Sequence, residues 1–276
     1  GAKDEVSLWC SSMFSGMPAY TVAGFGLQSN PVSKVLARVL YVFGDKDGGI
    51  VLGSLLCMYA LLIVLGCSIP VAVFGTFAFA LSSYSFIIIA AGHVMKAWAM
   101  AFMPLVLCGM AMLIKKKNKL WALIAFSVAL YWHISFGHYQ ISYYFAILCF
   151  AIYIGYLIYS LKKGEKKDLL VNTGCLVAGV LIAVLMNSPK LMSNYELGQQ
   201  SIRGKSELTS QVDGKTDKSS GLDKGYAFAW SYGKAETFTL LVPNIYGGES
   251  GGELDRKTSH LAKELRKHGA DVPKTL

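Results

Sequence analysis

Six long apolar runs separated by short polar stretches organise the chain: residues 50–68, 70–90, 97–114, 120–136, 140–161 and 169–187. Each comes close to the length, roughly 18 residues or more, that a helix needs to cross the hydrocarbon core. The second opens on Pro70 and is rich in Ser and Gly, so its pattern is the weakest. Before them, "VSKVLARVLYVF" (32–43) sets apolar residues at helical spacing with Lys34 and Arg38 a turn apart. That pattern predicts a helix lying in the membrane interface, and the following "GDKDGG" predicts a turn into the first span. After the last span, residues 199–235 are polar and Gly-rich. "AETFTLLVPNIYGG" (235–248) then returns a short apolar run of strand or helix length. Residues 259–268 read as an amphipathic helix with Ser259 as N-cap. The expected fold is an all-α polytopic membrane protein of about six transmembrane helices. Residues 1–49 form a loop with an interfacial helix, 50–188 the helical domain, and 189–276 a small α+β segment.

Charge orients these spans. The net charge of +9 invites a nucleic-acid reading, but the lysines stand in the wrong places for one. Lys115, Lys116, Lys117 and Lys119 lie between two spans, as do Lys162, Lys163, Lys166 and Lys167. Short Lys-rich loops mark the cytoplasmic side. With both loops placed there, residues 1–49, the turns near 91–96 and 137–140, and residues 189–276 share the external face. Five of the six cysteines sit in or beside apolar runs without metal-type spacing, which excludes a disulfide framework or a zinc site as the organising element. The chain opens on Gly-Ala-Lys-Asp with no signal peptide and stops in "ADVPKTL". It is therefore expected to be a piece of a longer membrane protein with a span upstream.

The external face gathers the unusual residues: "LWCSSMFSGMPAY" (8–20), "AGHVMK" (91–96), "GHYQISYY" (137–144) and "SIRGKSEL" (201–208). Polar groups at span ends point to a site by default, and four such motifs on one face point to one site. His93 and Lys96 lie one helical turn apart. They fit a snorkelling pair at a helix start or a pocket for an anionic headgroup, with lysine as the point charge and the helix N-terminus assisting. His133, inside a span, fits a packing histidine. His138 follows Gly137 in the turn, and Gln140, Tyr143 and Tyr144 come next on one helical face. They suit either an aromatic belt or a binding wall. Arg203 in an Arg-Gly step suits a solvated charge or a phosphate ligand. Trp9, Met13 and Met17 would form a stripe on a helical turn. Ser12 and Ser15 could then offer hydroxyls, and Gly16 and Pro18 would end the turn. "IYGGESGGE" (245–253) lacks the P-loop signature and reads as a flexible loop. HExxH, GxSxG and the Rossmann fingerprint are all missing. Asp4 and Glu5 are the only acids in the first 44 residues and suit a frayed end better than a catalytic pair.

Together with "SSYSFIIIAAGHVMKAWAMAFMPL" (82–105) and "GLDKGYAFAWSYGKAETFTLLVPNIYGG" (221–248), these motifs in this order resemble the YfhO family of bacterial membrane proteins. The resemblance implies a GT-C type glycosyltransferase in the bacterial cell membrane. Such an enzyme moves a sugar from a polyprenyl-phosphate carrier to a glycan or teichoic-acid-like acceptor outside the cytoplasm. It implies His93 and His138 as candidate catalytic residues, and Lys96, Arg203, Gln140, Tyr143, Tyr144, Ser12 and Trp9 as candidate substrate contacts. The family's catalytic acid is expected upstream of this chain. A divalent metal is left open, as the sequence shows no ligand motif for one. Two other classes compete: a polytopic lipid or solute transporter, which favours polar sites at the midplane, and a non-catalytic scaffold, which needs no cation cluster.

Overall fold

The computed structural model describes residues 9–10, 16–18, 38–40, 46–115, 118–199, 225, 228–229, 231, 233–240, 245 and 259–269. Eight helices carry residues 46–199: α1 (Lys46–Leu65), α2 (Ile69–Ala80), α3 (Ser83–Ala90), α4 (Val94–Ile114), α5 (Lys119–Ser135), α6 (Tyr139–Lys162), α7 (Lys166–Met186) and α8 (Ser188–Gln199). Five stretches are long and apolar enough to cross a membrane: 47–65, 69–90, 94–114, 139–162 and 166–186. The fourth predicted run folds as the 17-residue α5, about 25 Å long and so shorter than a typical core. The second run is helical but broken. Leu81 ends α2, and the hydroxyls of Ser82 and Ser85 pair at 3.0 Å where α3 starts.

Each boundary has a local cause. Asp47 in the first turn of α1 suits the positive end of its dipole. Pro70 sits at the start of α2, where its missing N–H is not needed. Asn118 caps α5 by accepting from the backbone N–H groups of Leu120 and Trp121 at 3.1 and 3.4 Å. At the opposite polarity, lysines bind the exposed carbonyls of helix C-termini. Lys115 Nζ donates to the carbonyls of Val64 and Leu65, at 2.8 and 2.7 Å. Lys119 Nζ donates to the carbonyl of Leu113 at 2.6 Å and to Asn172 Oδ1. Asn172 is fully buried and passes the network on to the Tyr156 hydroxyl at 2.7 Å. Lys115 and Lys119 therefore tie α1, α4 and α7 together at one end of the bundle.

Inside the bundle α4 packs between α1 and α5, and α5 between α4 and α7. Two glycines set the second contact. A Cβ on Gly109 of α4 would stand 2.6 Å from Phe126 Cα, and one on Gly179 of α7 would stand 2.5 Å from Phe126 Cδ1. Phe126 is thus held in a slot that no larger residue leaves open. Around it lie Val106, Met110, Leu113, Ala122, Phe145 and Leu176. A second core, nearer the other end, gathers Trp98, Phe102, Phe136, Ile50 and Leu40. Leu40 is 2 % exposed beside exposed Arg38 and Val39 in a helical turn, which suits the amphipathic pattern read at 32–43.

One expectation is corrected. Trp9 and Met17 do not share a helical stripe: Trp9–Cys10 and Met17–Pro18 pair antiparallel, Trp9 opposite Pro18 and Cys10 opposite Met17. Gly16, at φ 115°, takes a backbone conformation closed to most side chains, and it brings the chain back where a helix would continue. The side chains of these strands and Ser12 lie outside the described residues.

Residues 223–276 form a separate compact unit. Its described residues hold a 3-10 turn at Glu236–Leu240 and a helix, α9 (His260–Lys267), with no strand among them, so the β part of the expected α+β segment has no support there. Ser259 caps α9 as its sequence predicts, accepting from the Ala262 N–H at 3.3 Å.

The glycine slot yields a direct expectation. Gly109→Ala meets backbone, which cannot rotate away, and should cost about 1–3 kcal/mol or more. Gly174→Ala on α7, where a Cβ meets nothing within 4 Å, serves as the control. Thermal unfolding in detergent should show a clearly lower Tm for Gly109→Ala than for Gly174→Ala. Equal Tm values would remove the slot from the account.

Candidate functional site

Two corners of the same chemistry meet at the end of the bundle opposite the Lys-rich turns. In the first, α3 closes with His93 N–H donating to the Ile88 carbonyl and Gly92 N–H to the Ile89 carbonyl, at 3.1 and 2.9 Å. Gly92 takes φ 76°, and His93 becomes the N-cap of α4. In the second, Gly137 N–H donates to the Ile134 carbonyl at 2.9 Å, Gly137 takes φ 75°, and His138 becomes the N-cap of α6. Glycine is needed because this left-handed turn costs any side chain. Histidine after it offers a polar side chain where the next helix leaves its first N–H groups unpaired.

The two rings differ in use. His138 Nδ1 accepts from Ile141 N–H at 3.4 Å, so the neutral ring carries its proton on Nε2, as a donor. His93 is exposed and makes no capping bond. Lys96, one turn into α4, holds its ammonium 5.4 Å from the centre of the Tyr84 ring, a cation–π contact with α3. Partial burial holds His138 below the usual imidazole range, and the nearby charges of Lys96 and His93 push the same way, opposed by a backbone hydrogen bond. His93, Lys96 and His138 thus stand at the same end of the bundle, at the starts of α4 and α6.

An aromatic stack underpins the meeting. Trp98, just inside α4, stacks on Phe136, which precedes Gly137, with centroids 5.4 Å apart and planes 8° from parallel. Phe102 packs against Phe136 at 5.3 Å and edge-on to Trp132 at 5.7 Å. These rings join the start of α4 to the end of α5 directly beneath both histidines.

A third element, unread in the sequence, braces the second corner. Along one face of α8 and the residue before it, Asn187 donates to the Tyr131 carbonyl at 3.1 Å. Lys190 Nζ donates to the Ser135 carbonyl, and Asn194 donates to the Tyr139 hydroxyl at 3.1 Å. Burial lowers the Lys190 ammonium from its ordinary value. The Asn-Lys-Asn spacing of three and four was the available signal, masked by the polar composition of the segment.

Other candidates fall elsewhere. Gln140 Nε2 donates to the Tyr144 hydroxyl at 3.2 Å, Tyr143 and Tyr144 lie with ring centroids 5.8 Å apart, and all three are exposed on α6. That placement suits an aromatic belt better than a wall around the histidines. His133 is 1 % exposed; its Nδ1 donates to the Ala99 carbonyl at 2.9 Å, which ties α5 to α4 as a packing histidine. Its Nε2 has no partner among the described residues. Arg203 lies outside the described residues. Among those described, no three His, Cys, Asp or Glu side chains group to hold a metal ion.

Beside the second corner opens a cavity of about 530 Å³ between α4, α5, α6 and α7. Ser142, Ile134 and His133 form its upper part, and Cys149, Tyr153 and Thr173 lie farther along. Ser142 Oγ donates to the His138 carbonyl at 3.4 Å, so the cavity starts one helical turn from that histidine. From Ser142 to Tyr153 it follows α6 for about 16 Å. Its lining is almost wholly apolar.

No family model matches the chain, and neither a curated protein nor a solved structure matches it.

The depressed His138 ring has a testable sign. Its folded pKa lies below the ordinary 6.5, so the unfolded chain takes up the proton first as pH falls, and stability declines through that window. Unfolding measured in detergent from about pH 7.5 down to about pH 5.5 should show a smaller decline for His138→Gln than for the parent chain. Identical declines would mean that His138 does not titrate in the way its surroundings dictate.

Proposed function

We propose that the end bearing the two Gly-His corners binds the phosphate of a lipid-linked sugar, and that the chain is part of a membrane glycosyltransferase working on the face opposite the Lys-rich turns. The observation that carries this reading is the adjacency of a cationic corner to an apolar cavity. An anionic head at His138 and Lys96 leaves its hydrocarbon tail one turn from the cavity mouth. A ligand with both parts is an amphiphile with an anionic head, and a polyprenyl phosphate is one. The orientation rests on the positive-inside bias of the two short Lys-rich loops.

In such a transfer the bond between the sugar's anomeric carbon and the carrier's phosphate oxygen breaks. The bonding pair stays on that oxygen, and negative charge grows there. Fixed donors aimed at that charge are the main means of lowering the barrier. Lys96 supplies a full charge, and His138 Nε2–H supplies a neutral donor that needs no proton uptake. The acceptor hydroxyl also needs a base. Among the described residues no carboxylate pairs with Lys96, His93 or His138, so this role falls to another part of the protein. The resemblance to the YfhO family supports the same assignment. A lipid translocator is the second reading, since it would use the same head site and cavity; it predicts movement of the lipid between leaflets without release of a sugar.

Purified chain should bind dodecyl phosphate more tightly than dodecanol, and Lys96→Ala should weaken the phosphate about 10- to 150-fold, the equivalent of a charge-assisted contact of about 1.5–3 kcal/mol. Equal binding of the two amphiphiles by the parent chain would remove the anion site. In intact cells an impermeant maleimide should label Ala91→Cys and spare Lys167→Cys in an otherwise cysteine-free chain. The reverse pattern would invert the orientation.

A further inference from the structure

We infer that Lys190 is a second lysine of the anion site, serving the Gly137-His138 corner as Lys96 serves the Gly92-His93 corner, with α8 as the strap that delivers it. This rests on the reading that this end binds a phosphate. Lys190 meets the corner from beneath: a Cβ on Gly137 would stand 3.2 Å from its Nζ and 3.3 Å from its Cε. Its ammonium lies against the turn whose next residues, His138 and Tyr139, open α6 with N–H groups that the helix itself leaves unpaired.

Ser135 ends α5, so Lys190 meets the negative end of a helix as Lys115 and Lys119 do, but it binds one carbonyl there, where each of those binds two oxygens. Holding the Ser135 carbonyl requires one donor, and a neutral side chain provides that. An ammonium has three. Half-buried, it pays a desolvation penalty that an ion pair normally offsets. Among the described residues no carboxylate forms an ion pair with Lys190. A partly buried cation at a span end that no carboxylate neutralises keeps its full charge for an arriving anion. The brace is also built to hold it in place. Asn187 and Asn194 lie one turn to either side and anchor α8 to Tyr131 and Tyr139, so Lys190 reaches the corner from a fixed helix rather than from a free chain. The four groups then divide evenly. Each corner supplies one histidine, and each is served by one lysine, from α4 for the first and from α8 for the second.

The test uses the full chain in detergent, with dodecyl phosphate and dodecanol as probes. Lys190→Gln keeps a donor for the Ser135 carbonyl and removes the charge. Lys190→Arg keeps both. For Lys190→Gln the preference for phosphate over alcohol should fall about tenfold or more, the scale of one charge-assisted contact, while dodecanol binding stays as in the parent. Lys190→Arg should restore most of that preference. An unchanged preference in Lys190→Gln overturns the inference and leaves the anion site standing. Equal loss for both probes also overturns it, because a purely structural lysine would act on the cavity and the corner alike. A parent chain with no preference for phosphate overturns the underlying reading instead.

Discussion

Phe126 is the side chain on which the arrangement turns. It fills a slot between Gly109 of α4 and Gly179 of α7, and both helices approach α5 more closely there than any Cβ permits. In a bilayer such close approach is a main source of helix association, because lipid tails are as apolar as the side chains they would replace. With α4, α5 and α7 fixed, their ends are fixed too. The start of α4 and the end of α5 come to one level, where Trp98 and Phe136 stack. Two glycines then turn the chain at that end, Gly92 before His93 and Gly137 before His138, so each histidine opens the helix that follows it.

The charge of the molecule is divided by the same geometry. At one end Lys115 and Lys119 are consumed by the protein itself, closing the C-termini of α1 and α4 and bonding Asn172. At the other end Lys96 rests on an aromatic ring and Lys190 on a single carbonyl. The first group stabilises the helix dipoles of the bundle. The second leaves donor capacity unused beside two imidazoles, and that difference separates a structural lysine from one that awaits a ligand.

Much of this was legible in the residue pattern. Five of the six spans were, because an apolar run around 20 residues long has few other meanings. So was the placing of His93, Lys96 and His138 at one end of the bundle, because successive helices run in alternate directions. The cap at Ser259 followed from local chemistry alone. What the sequence hid depends on partners distant in the chain. Lys190 carries no signal of its own in the sequence, and only the carbonyl of Ser135 marks it. Gly109 and Gly179 read as unremarkable small residues in apolar runs, since close approach is a property of two helices and not of one. The break at Leu81–Ser82 escaped because Ser is tolerated inside a membrane helix. The stripe read into Trp9, Met13 and Met17 failed where Gly16 turns the backbone back into a pair of short strands.

The account stands on the two corners acting as one site for the head of an amphiphile. Its most direct test is photo-crosslinking of the purified chain with a dodecyl phosphate that carries a diazirine on the carbon next to the phosphate. Mass spectrometry of the products should find label on peptides from both the 91–96 and 136–142 corners, and excess unlabelled dodecyl phosphate should suppress both together. Label confined to one corner, or label that the competitor leaves unchanged, would contradict it.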